Sequence, residues 1–109
     1  MSLSVDQVGS IRRVTLAGRL DADGVRAVET DFHAAATAEP NVIVDLSAVP
    51  FLASLGIRML VAASQDQEKL GGKLALVSPD NITTSFLKTT GIDQIIPVRG
   101  TTEEAASLF

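Results

Sequence analysis

The chain has 109 residues, 46% hydrophobic and 20% charged, enough for one compact domain with its own core and too few for two, so residues 1–109 are expected to form a single domain. Nine Lys and Arg against thirteen Asp and Glu leave a formal charge of -4 with no basic run to track a phosphate backbone, which argues against nucleic acid as a partner. With no Cys and one His, His33, the chain has no disulfide, no thiolate nucleophile and too few groups for a zinc site or a nucleophile–base pair, which argues against most hydrolytic chemistry.

No stretch approaches the roughly 20 apolar residues of a bilayer crossing, and Met1 to Ser4 lacks the charge and the apolar run of a signal peptide. A cytoplasmic protein without membrane insertion is expected. Leu3 to Gly18 alternates loosely through Val5, Val8, Ile11, Val14 and Leu16 with a turn signal at Gly9-Ser10, the pattern of two short antiparallel strands. Gly18-Arg19-Leu20-Asp21 then leads into a segment whose Val25, Val28, Phe32 and Ala36 recur at helical spacing, an amphipathic helix capped by Asp21 or Asp23 and stopped by Pro40. The aspartates of Asp21-Ala22-Asp23-Gly24 do not make a calcium loop: Arg26 and Phe32 stand where an EF-hand needs Gly and Glu. His33 is expected on this helix's surface, idle.

The apolar run Val42-Ile43-Val44 reads as a buried strand, and Asp45 after it is placed to accept from backbone N–H groups of the following turn. A second helix is expected from about Leu55 to Leu70. Gly56, Leu60, Ala63 and Gln67 form its inward stripe with Ile57 and Ser64 beside it, while Arg58, Gln65 and Lys69 lie opposite. Gly71-Gly72 supplies a left-handed stop, and Lys73 to Val77 reads as another buried strand ending at Ser78-Pro79, which makes a parallel crossover unit. A third helix runs from about Asn81 to Thr90 with Ile82, Phe86 and Leu87 and stops at Gly91. Ile95 to Val98 reads as a last short strand, and Thr101 or Thr102 caps a terminal helix whose Glu103 and Glu104 suit its first turn. Together these elements make an α/β fold with a mixed sheet of four to five strands and about four helices.

Five pieces in order resemble the STAS domain family, named for sulphate transporters and anti-sigma factor antagonists. They are Gly18-Arg19-Leu20-Asp21, Val42-Ile43-Val44-Asp45-Leu46-Ser47, Phe51-Leu52-Ala53-Ser54-Leu55-Gly56, Gly71-Gly72-Lys73-Leu74 and Thr90-Gly91-Ile92, and they span nearly the whole chain. For a stand-alone member the resemblance implies a protein switch. A serine at the start of the second helix is phosphorylated by an anti-sigma factor that is also a serine kinase, with ATP bound by that partner, and a phosphatase resets it. Ser54 takes that position. Ala53 and Leu55 replace the acidic residue and the second serine usual in the motif, while Gly56 keeps its glycine.

Two compatible roles are open to Ser54, an N-cap whose oxygen accepts a first-turn N–H, and a phosphoacceptor. Ala53 offers no base beside the hydroxyl, so activation falls to the partner and the chain is a substrate, not an enzyme, with no cofactor of its own. Projection of the second helix places Leu55 and Met59 at the edge of its apolar stripe, an exposed apolar rim in which Met59 has core filling as its alternative, with Ala62 toward solvent and Arg58 on the open face. Asp21 and Asp23 border the kinase-contacting face in the resembled family, and also serve as caps. The expected partner surface is therefore Asp21, Asp23, Ala53, Ser54, Leu55, Gly56, Arg58, Met59 and Ala62. The rival reading is a STAS subunit that is never phosphorylated, in a transporter or as a lipid- or nucleotide-binding module.

Overall fold

In the computed structural model, which describes residues 1–78 and 80–109, the chain opens with a hairpin: β1 (Ser2–Val8) and β2 (Ile11–Ala17) pair antiparallel in the register Val8 to Ile11 around Gly9, whose φ of 63° is the left-handed value a two-residue turn requires. There follow α1 (Ala22–Ala36), β3 (Val42–Ala48), α2 (Ser54–Lys69), β4 (Leu74–Val77), α3 (Asn81–Thr89), a 3-10 turn at Ile92–Gln94, β5 (Val98–Arg99) and α4 (Thr102–Ala106). The sheet order is β1-β2-β3-β4-β5, parallel from β2 onward. Of the expected strand end at Ser78-Pro79, Pro79 lies outside the described residues.

Alternation along the strands divides the apolar residues between two faces. Val14, Leu16, Val42, Val44, Leu46, Leu74 and Leu76 point to one face, where Val25, Val28, Phe32 and Ala36 of α1, Leu60 and Ala63 of α2 and Leu87 of α3 close the main core. Ile43, Ala75 and Val77 point to the other, under Ala105 of α4. Asp21 caps α1 by accepting from the Gly24 N–H, and Thr101 caps α4 by accepting from the Glu104 N–H, as the sequence suggests. Gly71 and Gly91 take left-handed φ values of 79° and 78° where the second and third helices stop.

Two expectations are corrected. The last strand is Val98–Arg99, not Ile95 to Val98, because the Ile95 and Ile96 N–H groups both donate to Ile92 O in the 3-10 turn and Pro97 has no N–H. Pairing instead uses the Pro97 and Arg99 carbonyls, which accept from Leu76 and Ser78 at 2.8 and 3.0 Å. His33 is not idle: its Nε2 lies 2.7 Å from Asp66 Oδ2 and ties α1 to α2. Ile82 is 79% exposed, since Thr83 and Leu87, four apart, are the buried positions of α3.

Gln67 holds the far end of α2. It is fully buried, and its Nε2 donates to Ala36 O at 2.6 Å and Glu39 O at 2.8 Å while its Oε1 accepts from the Asn41 N–H at 3.1 Å. Asn41 takes a positive φ of 72°, and its own Oδ1 accepts from the Lys73 N–H at 3.1 Å. One carboxamide thus joins the end of α1, the entry to β3 and, through Asn41, the entry to β4. Gly72 is required beside it, because a Cβ there would collide with Gln67 Oε1 and lie 2.6 Å from the Asn41 nitrogen.

Candidate functional site at the start of α2

Two loops meet at the carboxyl end of the parallel strands, where open α/β sheets place their working groups. Gly18 donates to Ala48 O at 3.0 Å, Leu20 donates to Phe51 O at 2.8 Å, and Ala53 donates to Leu20 O at 3.0 Å, so Leu20 and Leu52 form a short parallel bridge beyond the sheet. Above the bridge the Arg19 guanidinium sits 4.3 Å from the centre of the Phe51 ring and 3.5 Å from Asp21 Oδ2. The two backbone bonds of the bridge hold the segment before Ser54 against the loop before α1, and the stack lies over them at the surface. Nothing in the spacing of Arg19 and Phe51 along the chain announces it.

Ser54 is not the N-cap. Ala53 occupies that position, with φ -95° and ψ 172°, and its carbonyl takes the first helical bond from Ile57 at 3.1 Å. Ser54 is the first helical residue and is exposed. Since alanine has no side-chain acceptor, α2 starts without a side-chain cap. The Ser54 hydroxyl therefore has no capping bond to give up before it reacts or meets a partner.

Leu55 is 42% exposed, beside Ser54, whereas Met59 is only 8% exposed. The expected apolar rim is therefore Leu55 alone at the surface, with Met59 as the floor of a groove between α1 and α2. That groove, of about 340 Å³, is lined by Val25, Glu29, Leu55, Arg58, Met59 and Ala62. Arg58 and Ala62 are exposed, and among the described residues Arg58 forms no ion pair. Gly56 is buried, and a Cβ there would lie 2.8 Å from Leu52 Cδ1 and 2.9 Å from Leu20 Cδ2. The close neighbours are core side chains, so a larger residue disturbs the core together with the start of α2.

Asp21 and Asp23 separate in role. Asp23 is nearly fully exposed and pairs with Arg26 at 3.2 Å, a surface contact. The Asp21 carboxyl is held below the usual carboxylate range, chiefly by the Gly24 N–H and further by Arg19. A depressed folded-state value means that the stabilisation is present above the unfolded value, about 3.9, and is lost as pH falls through the lowered one. Asp21→Ala is accordingly expected to lower Tm at pH 7, with the gap to wild type closing in circular-dichroism melts taken progressively below about pH 4. A gap unchanged at acid pH would assign the loss to something other than the ionised cap.

Among the described residues no helix is long and apolar enough to cross a membrane. A family model for the STAS domain matches residues 2–105. BtrV of Bordetella bronchiseptica, named for anti-sigma factor antagonism, is 23% identical over 110 residues, covering 100% of this chain and 95% of its own. The crystal structure of an anti-sigma factor antagonist from Mycobacterium paratuberculosis superposes with a TM-score of 0.86 at 27% identity, over 98% of this chain and 92% of that one. An anti-sigma-factor antagonist STAS domain protein from Planctomyces limnophilus gives 0.83 at 28% identity, over 94% and 92%.

Proposed function

The chain belongs to the STAS domain family, and from that membership we propose that it is an anti-sigma factor antagonist, switched by phosphorylation of Ser54. Relatives similar over nearly their full length are named for anti-sigma factor antagonism. The observation that carries the switch is the state of Ser54, an exposed hydroxyl in the first turn of an uncapped helix, flanked by exposed Leu55 and the α1–α2 groove. In the unphosphorylated form, Leu55, Arg58, Met59 and Ala62, with Asp21, Asp23 and Ala53 around the serine, form the docking surface, while Gly56, expected on that surface, is buried beneath it and serves the packing of the helix start. The partner is a cytoplasmic anti-sigma factor with serine kinase activity, which binds the ATP; a phosphatase restores the hydroxyl. This chain is the substrate and performs no catalysis.

The phosphate works by blocking the interface. At the first turn of a helix its charge is favoured by roughly 0.3–1 kcal/mol, so the domain remains folded. The test is direct: wild-type protein with its kinase and Mg-ATP gains one phosphate by mass spectrometry, and Ser54→Ala gains none. A phosphate on another serine or threonine, with Ser54 untouched, would overturn the assignment. Ala53 and Leu55 favour one second reading, a STAS subunit that binds constitutively and is never phosphorylated; a chain that binds its partner but takes up no phosphate would support it.

A further inference from the structure

The β1 edge is long, unguarded and self-complementary. Seven residues, Ser2–Val8, form the outer strand of the sheet, and five of them are exposed. Edge strands are ordinarily protected by Pro, Lys or a bulge. β1 has no Pro or Lys and pairs with β2 in unbroken register. Its one charge, Asp6, is matched within the hairpin by Arg13, at 2.6 and 2.9 Å.

The tight turn sets which backbone groups are free. In a two-residue hairpin the closing pair, here Val8 and Ile11, is hydrogen-bonded, and such pairs alternate along the ladder. Val8, Asp6, Ser4 and Ser2 therefore spend their N–H and C=O groups on β2, while Leu3, Val5 and Gln7 direct theirs outward. Gly18 supports this phase from the other side: its N–H reaches Ala48 O toward β3, in step with Val14, the partner of Val5.

We propose that two copies of this chain pair antiparallel through β1 about a two-fold axis at Val5, joining their sheets into one. Only that centre uses all three outward residues on both strands: Val5 faces Val5, Leu3 faces Gln7, and Gln7 faces Leu3. Asp6 then stands opposite the Ser4 hydroxyl, with no like charges directly opposed. Val5, 42% exposed in the single chain, packs on itself across the axis. A single short strand pair is a small interface, so the dimer is of the weak, concentration-dependent kind. It lies at the sheet edge, away from α2, which packs on α1 and β4, and it is independent of the switch.

Sedimentation velocity from micromolar to millimolar protein should show the mass rising from 11.4 kDa toward twice that value. Val5→Pro removes an outward N–H and spares the hairpin bonds, and Val5→Lys keeps the backbone but places two ammonium groups across the axis; both should remain at the monomer mass while retaining the wild-type circular-dichroism spectrum. Because the chain has no Cys, Val5→Cys reports the register. Its two Cα atoms would be about 5.5 Å apart, within disulfide reach, whereas those of Val8→Cys would be about 20 Å apart. Oxidation should cross-link the first and not the second. A wild type that is monomeric at the highest concentration, dimers that persist in Val5→Lys, or equal cross-linking at both positions would each overturn the proposal.

Discussion

A Ser54→Asp chain is expected to bind its anti-sigma factor roughly 100- to 4000-fold more weakly than wild type. A carboxylate left unpaired in a closed interface costs about 3–5 kcal/mol, and each 1.4 kcal/mol is about tenfold in affinity. The fold should not share the loss. An acidic residue in the first turn of an uncapped helix sits well with the helix dipole, so the variant should melt at or slightly above the wild-type temperature. Ser54→Ala should bind like wild type. Titration calorimetry of the three chains against the partner, with melts alongside, separates a blocked surface from a damaged domain. Equal affinity for Ser54→Asp and wild type would remove the switch and leave the constitutive subunit.

The largest effect on stability is expected at Gln67. Gln67→Leu keeps the volume and removes the bonds, orphaning the Ala36 and Glu39 carbonyls and the Asn41 N–H. At about 1–3 kcal/mol for each buried group left without a partner, and with the more open ones regaining water, the loss is roughly 3 kcal/mol. For a chain of this size that lowers Tm by about 10–20 °C. Gln67→Glu should be as damaging at neutral pH, since it turns a carboxylate toward two carbonyl oxygens. A Gln67→Leu melt within a few degrees of wild type would mean that the α1–β3 and α2–β4 connections hold their course without the carboxamide.

Local chemistry made most of the fold readable. Gly9-Ser10 between alternating runs marked the hairpin, Asp21 and Thr101 marked two helix starts, and Gly71 and Gly91 marked two stops, each through a backbone angle or an unpaired N–H that the residue type satisfies. The surroundings of Ser54 were readable as a neighbourhood but not to the residue. Whether Ala53 or Ser54 is the cap depends on which carbonyl first meets an N–H four residues on, and side-chain type does not settle that when the true cap is alanine. Contacts between distant segments were the least legible. His33 and Asp66 are 33 residues apart, and Arg19 meets Phe51 only because two loops are bridged. Gln67 was placed on the inward stripe by its spacing, yet its three bonds depend on an unusual backbone at Asn41.

The Leu20–Leu52 bridge bears on how a modifying enzyme would meet Ser54. Many serine kinases draw a pliant, extended peptide into their cleft. Here the residues leading to the serine are fastened by Phe51 O and the Ala53 N–H to a loop more than thirty positions earlier, and the serine itself is already helical. A kinase that accepts this serine has to dock a finished surface and bring its own catalytic groups to a hydroxyl carried on a helix already formed. Recognition of that kind resides in tertiary shape more than in a linear consensus, and it gives Ala53 and Leu55 room to differ from the family's usual neighbours without erasing the address.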